Sequence, residues 1–399
     1  MVPGLSKGDP NRYNRGMLRD PILAPRDHRL DDLLRRPLSL TDAPGSGGGD
    51  LFVDAASGWG FGGTATFRGA VIPSPLSLSV WVEGSPVFSE SGVYRPSHIT
   101  RNAVDGETGL QISEDTFVAP DDVLVCVLSL RNPGEWSVDV ETRVRWGIER
   151  GEHADTNGSG FHVSRFAPNV RDRQFTLPAG GRTRLIFALS LAPDDRFATA
   201  PGDTARRRAE AYSRDAAPVV AHTDAFDRWA QKHTPRFDCP DPWAMRAWYG
   251  DCYLRRKYPR REMPPVGDAP LMLADFVRMT RRRFTENNFD APSDNAAPFL
   301  PDVFAARVLG LCVSSDTLTL RPAPDLTAWE SFAVGNYEHA AHRFAFVWDA
   351  PSTPGDAYHD GDKGFTVYHG DAVLHRQPDL SPVSITLSPT APFEDEEDE

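Results

Sequence analysis

Hydrophobic and polar positions alternate with a period of two along much of this chain, in short runs broken by turn residues. That alternation marks strands buried on one face. Between residues 51 and 192 the runs are 65–67, 76–82, 92–95, 123–130, 138–147, 160–165 and 183–191. Glu83-Gly84, Asn132-Pro133-Gly134, Asn157-Gly158 and Ala179-Gly180-Gly181 supply turns between them. Val138, Val140, Thr142, Val144 and Trp146 share one parity, so one face of their strand is apolar. Strands at this spacing with no helix between them predict an antiparallel sandwich.

At residue 200 the period changes. Residues 203–232 have helical composition: Asp203 or Thr204 would cap a first helix, 221–232 would form a second, and Pro235 would end it. Asp241 reads as an N-cap with Pro242 at the first helical position. The helix it opens places Trp243, Ala247, Cys252 and Leu254 near one face. A further helix is expected over 270–283, then a loop over 284–300, then a helix over 301–311 closed by Gly310. Period two returns from Asp316. There Phe344, Phe346 and Trp348 share a parity, Phe365, Val367 and Tyr368 follow in a second run, and Gly361, Gly364 and Gly370 sit where hairpin turns need positive φ. The expected fold is mainly β with a short α bridge. It comprises an N-terminal antiparallel β-sandwich (51–200), a helical segment (201–311) and a small C-terminal β-domain (312–388). An N-terminal extension ending in a Gly-rich linker (1–50) precedes them, and an acidic, like-charge tail (389–399) expected to be disordered follows.

Composition narrows the function classes. Forty per cent apolar and 10% aromatic residues suffice for packed cores. A net charge of −13 argues against general nucleic-acid binding, which needs basic patches. Cys126, Cys239, Cys252 and Cys312 lack C-x-x-C spacing, so neither a zinc site nor a redox motif is indicated. Cys126 lies in an apolar run and reads as core. No G-x-S-x-G, P-loop or strand-following G-x-G-x-x-G is present, and no cofactor is expected. The first residues show no apolar leader and no stretch suits a membrane span, so a cytoplasmic, reduced protein is the expectation.

Three pieces resemble parts of one architecture. The sandwich ends in F-x-L-x-A-G-x-x-x-x-L-x-F-x-L (175–189), and Phe226-Asp227-Arg228-Trp229 follows. Asp241-Pro242-Trp243, Trp248-Tyr249 and Leu254-Arg255-Arg256 come next. Last come Asp302 with Gly310-Leu311, L-x-L-R-P at 318–322, the Trp329-x-x-Phe332 step, the strand ending Trp348-Asp349, and Gly364-Phe365-x-Val367-Tyr368. In this order they resemble the N-terminal sandwich, first barrel helix, last barrel helix and closing β-domain of six-hairpin glycosidases built on an (α/α)₆ toroid. The resemblance implies carbohydrate chemistry. It also implies a truncated toroid: twelve helices need on the order of 200 residues, whereas about 60 separate Asp241 from Pro301, room for roughly three helical units. The family's acid and base would lie in the missing part. An interior face normally covered by the barrel would be exposed, so a homo-oligomer or a partner chain supplying helices is expected.

Glycoside hydrolysis needs two carboxyl groups, one protonated and one ionised. The surviving middle offers Asp251, Glu262, Asp268, Asp275, Glu286, Asp290 and Asp294. Glu286, expected in a loop near aromatics, is the candidate acid, against the plainer reading of a solvated carboxylate. Asp251 would orient a sugar hydroxyl, or pair with Arg255 one turn on. Trp59 with Phe61, and Trp243 with Trp248 and Tyr249, are candidate stacking platforms for a carbohydrate ligand, the alternative being interdomain packing. His339 and His342, with His359 and Asp360, read as surface groups rather than metal ligands, because a strand does not bring residues three apart onto one face. Two functions follow: a minimal or partner-completed glycoside hydrolase, or a non-catalytic relative that binds glycans or serves as an assembly module.

Overall fold

The computed structural model describes residues 33–37, 46–53, 58–147, 150–155, 158–169, 174–194, 200–257, 266, 269–286, 298–314, 316–339, 342–358, 363–370 and 372–387. Glu262, Asp268, Asp290, Asp294, His359, Asp360 and the acidic tail lie outside them. The fold is mainly β, as the alternation predicts. Two sheets make the sandwich. An eight-stranded antiparallel sheet runs, in spatial order, Arg36–Pro37, Ser91–Tyr94, Ile99–Val104, Gln111–Ala119, Val123–Arg131, Arg182–Asp194, Gly158–Pro168 and Arg150–Asp155. A smaller sheet, built on Val138–Trp146 and Leu76–Val82, packs against it.

Between them lies an aliphatic core that includes Leu78, Val80, Ile112, Leu124, Leu128 and Val140. The parity read from Val138 to Val144 is borne out, since all four of Val138, Val140, Thr142 and Val144 are buried. Trp146 leaves that pattern, half-exposed and stacked on Phe166 at 4.4 Å. One ion pair is enclosed in this core. Arg101 Nη1 donates to Glu114 Oε2 at 3.0 Å, and Glu114 Oε1 accepts from Gly60 N at 2.6 Å and from Cys126 Sγ at 3.1 Å. Burial pushes the Glu114 carboxyl up, and the Arg101 guanidinium opposes that shift.

The Gly-rich stretch expected to be a linker is an arm of a hairpin. Ser46–Gly48 pairs with Leu51–Val53, within a four-stranded sheet. Asp122 Oδ1 accepts from the N–H groups of Asp50 (2.7 Å) and Leu51 (2.9 Å) and holds the turn. Gly49 has φ +55, and a Cβ there would stand 2.4 Å from Asp122 Oδ1, so the turn requires glycine.

Among the described residues four helices of more than ten residues follow the sandwich: α1 (Pro201–Arg214), α2 (Pro218–His233), α3 (Pro242–Lys257) and α4 (Leu273–Glu286). Helix α1 begins at Pro201, ahead of the expected Asp203 or Thr204 cap. Proline is pre-shaped for the first turn, and Asp203 instead pairs with Arg206. Ala205, Ala209 and Ser213, four residues apart, are its buried stripe. Their small size lets α1 lie close on the outer face of the eight-stranded sheet, over Val125, Ala167 and Ala188. The Asp241 cap is as expected: Oδ1 accepts from Trp243 N (2.9 Å) and Ala244 N (3.0 Å). Helix α4 runs three residues past its expected end, because nothing in Phe284-Thr285-Glu286 breaks a helix. Its N-terminus is capped from the C-terminal region, where Asp325 accepts from Leu273 N (2.8 Å) and Ala274 N (3.1 Å). The expected helix over 301–311 is a short α turn, Leu300–Val303, passing into a π turn, Phe304–Val308, with Gly310 at φ +62 just beyond.

The C-terminal five-stranded sheet runs Arg236–Asp238, Ser331–His339, His342–Asp349, Gly364–His369 and Ala372–Gln377. Phe332, Phe344, Phe346, Trp348, Phe365 and Val367 share a core with α3, α4 and the π turn. Tyr368 faces the other way, beside Ala345, Val347 and Tyr358. That is the ordinary pleat, since consecutive strand residues point to opposite faces. The apolar face of this sheet is therefore covered within the chain.

Candidate functional site

The aromatic residues singled out from the sequence lie in or beside two separate cores. Trp59 is buried in the sandwich, its Nε1 donating to Val87 O at 2.8 Å, with Phe61 buried nearby. Trp243, Trp248, Tyr249 and Asp251 occupy α3. Trp248 is 0% exposed, stacks on Phe237 at 4.3 Å and donates from Nε1 to Pro235 O. Tyr249 OH accepts from Phe237 N (3.0 Å) and donates to Phe237 O (3.1 Å), tying α3 to the first strand of the C-terminal sheet. Burial pushes this phenol well up. Trp243 is half-buried, with the Arg246 guanidinium 5.7 Å from its ring centre. Asp251 is 4% exposed, and its Oδ2 accepts from Leu300 N at 3.0 Å. It thus acts as a long-range cap for the turn that begins at Leu300. Glu286 is the last residue of α4 rather than a loop residue. Asp275, in the first turn of α4, pairs with Arg278 at 2.9 Å.

Among the described residues no group of three His, Cys, Asp or Glu side chains could hold a metal ion. His342 Nδ1 lies 3.0 Å from His369 Nε2. Burial and the neighbouring His342 hold the His369 ring below its ordinary range. No helix among the described residues is long and apolar enough to cross a membrane.

A concavity of about 650 Å³ lies elsewhere, on the outer face of the eight-stranded sheet. Its floor is a cross-strand row, Ala103–Ile112–Leu130–Thr183, of which the first three point inward to the sandwich core. Rows of outward side chains flank it. One is Asn102–Ser113–Ser129–Arg184, the other Val104–Gln111–Arg131–Arg182. Rows two residues apart along a strand stand about 7 Å apart, and four neighbouring strands span about 14 Å. The trough is thus long and narrow. Further along the same face the surface turns apolar and is covered by α1 and α2, with His222 stacked on Phe117 at 4.2 Å. The turn between the two helices bounds the open part, where Arg184 Nη1 donates to Ala216 O at 2.8 Å.

The trough lining includes Arg, Asn, Gln, Ser and Thr, and no Asp or Glu. It can donate hydrogen bonds and attract negative charge, and its own side chains supply no carboxyl acid or base. Sequence reasoning passed over it. Apart from Thr183 each of these residues is an ordinary outward position of a strand, and only register sets them side by side.

No family model matches this sequence, and no curated protein matches it either. Among solved structures the chain is similar to "Putative kojibiose phosphorylase from human microbiome", with a TM-score of 0.41 and 10% identity over 56% of this chain and 42% of that one. The chain spans less than half the length of that structure, and the chemistry of the trough rests on its own residues.

Proposed function

We propose that this chain is a glycan-binding protein rather than a glycoside hydrolase, with the trough on the eight-stranded sheet as its saccharide site. The observation that carries this reading is the lining: donors of the kind that hold sugar hydroxyls, and no carboxyl group. The placement of two of the candidate acids, Asp251 and Asp275, supports it. The Oδ2 of Asp251 caps a turn and Asp275 pairs with an arginine on its own helix, so neither is poised as an acid or base. The resemblance of the sequence to toroid glycosidases supplies the ligand class. A pairing of two copies or a partner chain belongs to the same reading as a means of presenting several troughs at once.

The test is a glycan array read beside a panel of aryl glycosides, using the full chain and Glu286→Gln. Glycan binding without turnover is the expected result. Turnover abolished by Glu286→Gln would restore the hydrolase reading, and absence of both binding and turnover would remove carbohydrate from the function.

A further inference from the structure

We infer that the trough selects acidic oligosaccharides, chains of hexuronic-acid units whose carboxylates are gripped by Arg131, Arg182 and Arg184. The inference rests on the glycan-binding reading and specifies its substrate class.

The charge arrangement carries it. Arg131 and Arg182 stand directly opposite each other on neighbouring strands, and Arg184 lies two residues along the second strand on the same face. Like charges directly opposite in a sheet are destabilising. Among the described residues neither Arg131 nor Arg182 has a carboxylate within ion-pair distance. Asp115 shares the face one row further on, where it accepts from Thr100 Oγ1 at 2.7 Å. The chain as a whole carries a net charge of −13, so a carboxylate-free cluster of three cations in its described concavity runs against the general field. An anion lying between Arg131 and Arg182 would relieve their repulsion.

Shape and chemistry choose among anions. Arginine presents a planar fork that matches a carboxylate with two parallel hydrogen bonds. Asn102, Gln111, Ser113 and Ser129 alternate donors and acceptors along the same trough, which suits a ligand bearing hydroxyl groups between its charges. The trough is about 7 Å across, too narrow for a nucleic-acid duplex, and the cation count is low for a polyphosphate. Arg184, anchored on Ala216 O, is held in place before any ligand arrives.

Titration calorimetry of the full chain would compare oligogalacturonate with the same oligomer after carboxyl reduction, which keeps every ring and removes every charge. Expected are tighter binding of the acidic form, weakening with salt, and a loss of roughly tenfold or more in its affinity in Arg131→Gln and Arg182→Gln. Both positions are exposed, so circular dichroism and the melting temperature should match the parent chain. Equal binding of the charged and reduced oligomers, untouched by either substitution, would overturn the acidic specificity and leave the glycan-binding reading in place. Absence of binding by either oligomer, with a glycan array also blank, would overturn both. Displacement of bound oligogalacturonate by a polyglutamate peptide at lower concentration would assign the trough to acidic peptides instead.

Discussion

The sandwich and the C-terminal unit both bury a sheet face, yet they fill the space differently. Between its two sheets the sandwich packs mostly aliphatic side chains around one enclosed ion pair. The C-terminal unit sets helices on a sheet and fills the gap with rings: Phe304 stands 5.1 Å from Phe237 and from Phe276, and 5.8 Å from Phe332. Two pleated faces interdigitate with compact side chains. In the C-terminal unit rings fill the space between helices and sheet at core density, whereas the small buried stripe of α1 lets that helix sit directly on its sheet. The difference also separates two kinds of fragility, one of volume and one of charge.

Removing a ring should strike hardest. Phe304→Ala is expected to cost about 3–5 kcal/mol, read by denaturant unfolding, and to loosen α3 and α4 from the sheet in hydrogen exchange. A loss below about 1 kcal/mol would mean that the aromatic cluster is not the keystone of this unit.

Breaking the charge in the sandwich should cost a similar amount for a different reason. Glu114→Ala leaves the Arg101 guanidinium buried without its carboxylate and Gly60 N without its acceptor, an expected loss of about 3–5 kcal/mol. The double variant Arg101→Met/Glu114→Leu should recover most of that loss, since apolar replacements of a buried pair are often neutral. If the double variant is no better than the single one, the pair contributes more than its own neutralisation.

Overfilling the close contact between α1 and the sheet comes next. Ala209→Leu should destabilise by about 1–3 kcal/mol, and limited proteolysis within 200–216 should accelerate.

The smallest effect concerns Asp122, which burial holds up to about pH 6 while it accepts two backbone N–H groups. Its folded value lies above the ordinary 3.8. The contribution is therefore complete below about pH 3.8 and is lost as pH rises through about 6. Asp122→Asn keeps an oxygen for the same two donors and carries no charge. It should recover on the order of 1 kcal/mol above pH 6, screening of this partly exposed group allowed for, and flatten the stability profile between pH 4 and 6. An unchanged profile would place the titration elsewhere.

Local patterns were legible from the sequence alone. The period-two runs gave the main sandwich strands, and the Asp241-Pro242 cap marked the start of α3, because both depend on neighbours along the chain. Strands such as Gln111–Ala119 were missed, because polar Glu114 and Thr116 occupy inward positions and an uninterrupted buried end blurs the alternation. The candidate site was not legible. Trp248 and Asp251 carry the right chemical groups for sugar binding, and the fold uses both for packing and capping.

By itself the sequence determined the mainly β class, the helical interruption and the faces that had to be buried, since side-chain periodicity is a property of consecutive residues. Only the tertiary structure decided which ends are capped from distant parts of the chain, and by whom. Asp325 caps α4 from 52 residues away, Asp251 caps the turn at Leu300 from 49, and Asp122 holds the Gly49 hairpin from 72. It also decided that Asn102, Ser113, Ser129 and Arg184, from four different strands, should line one trough. Strand register does that work, and register is settled by the packing of whole faces rather than by any residue's neighbours in the chain.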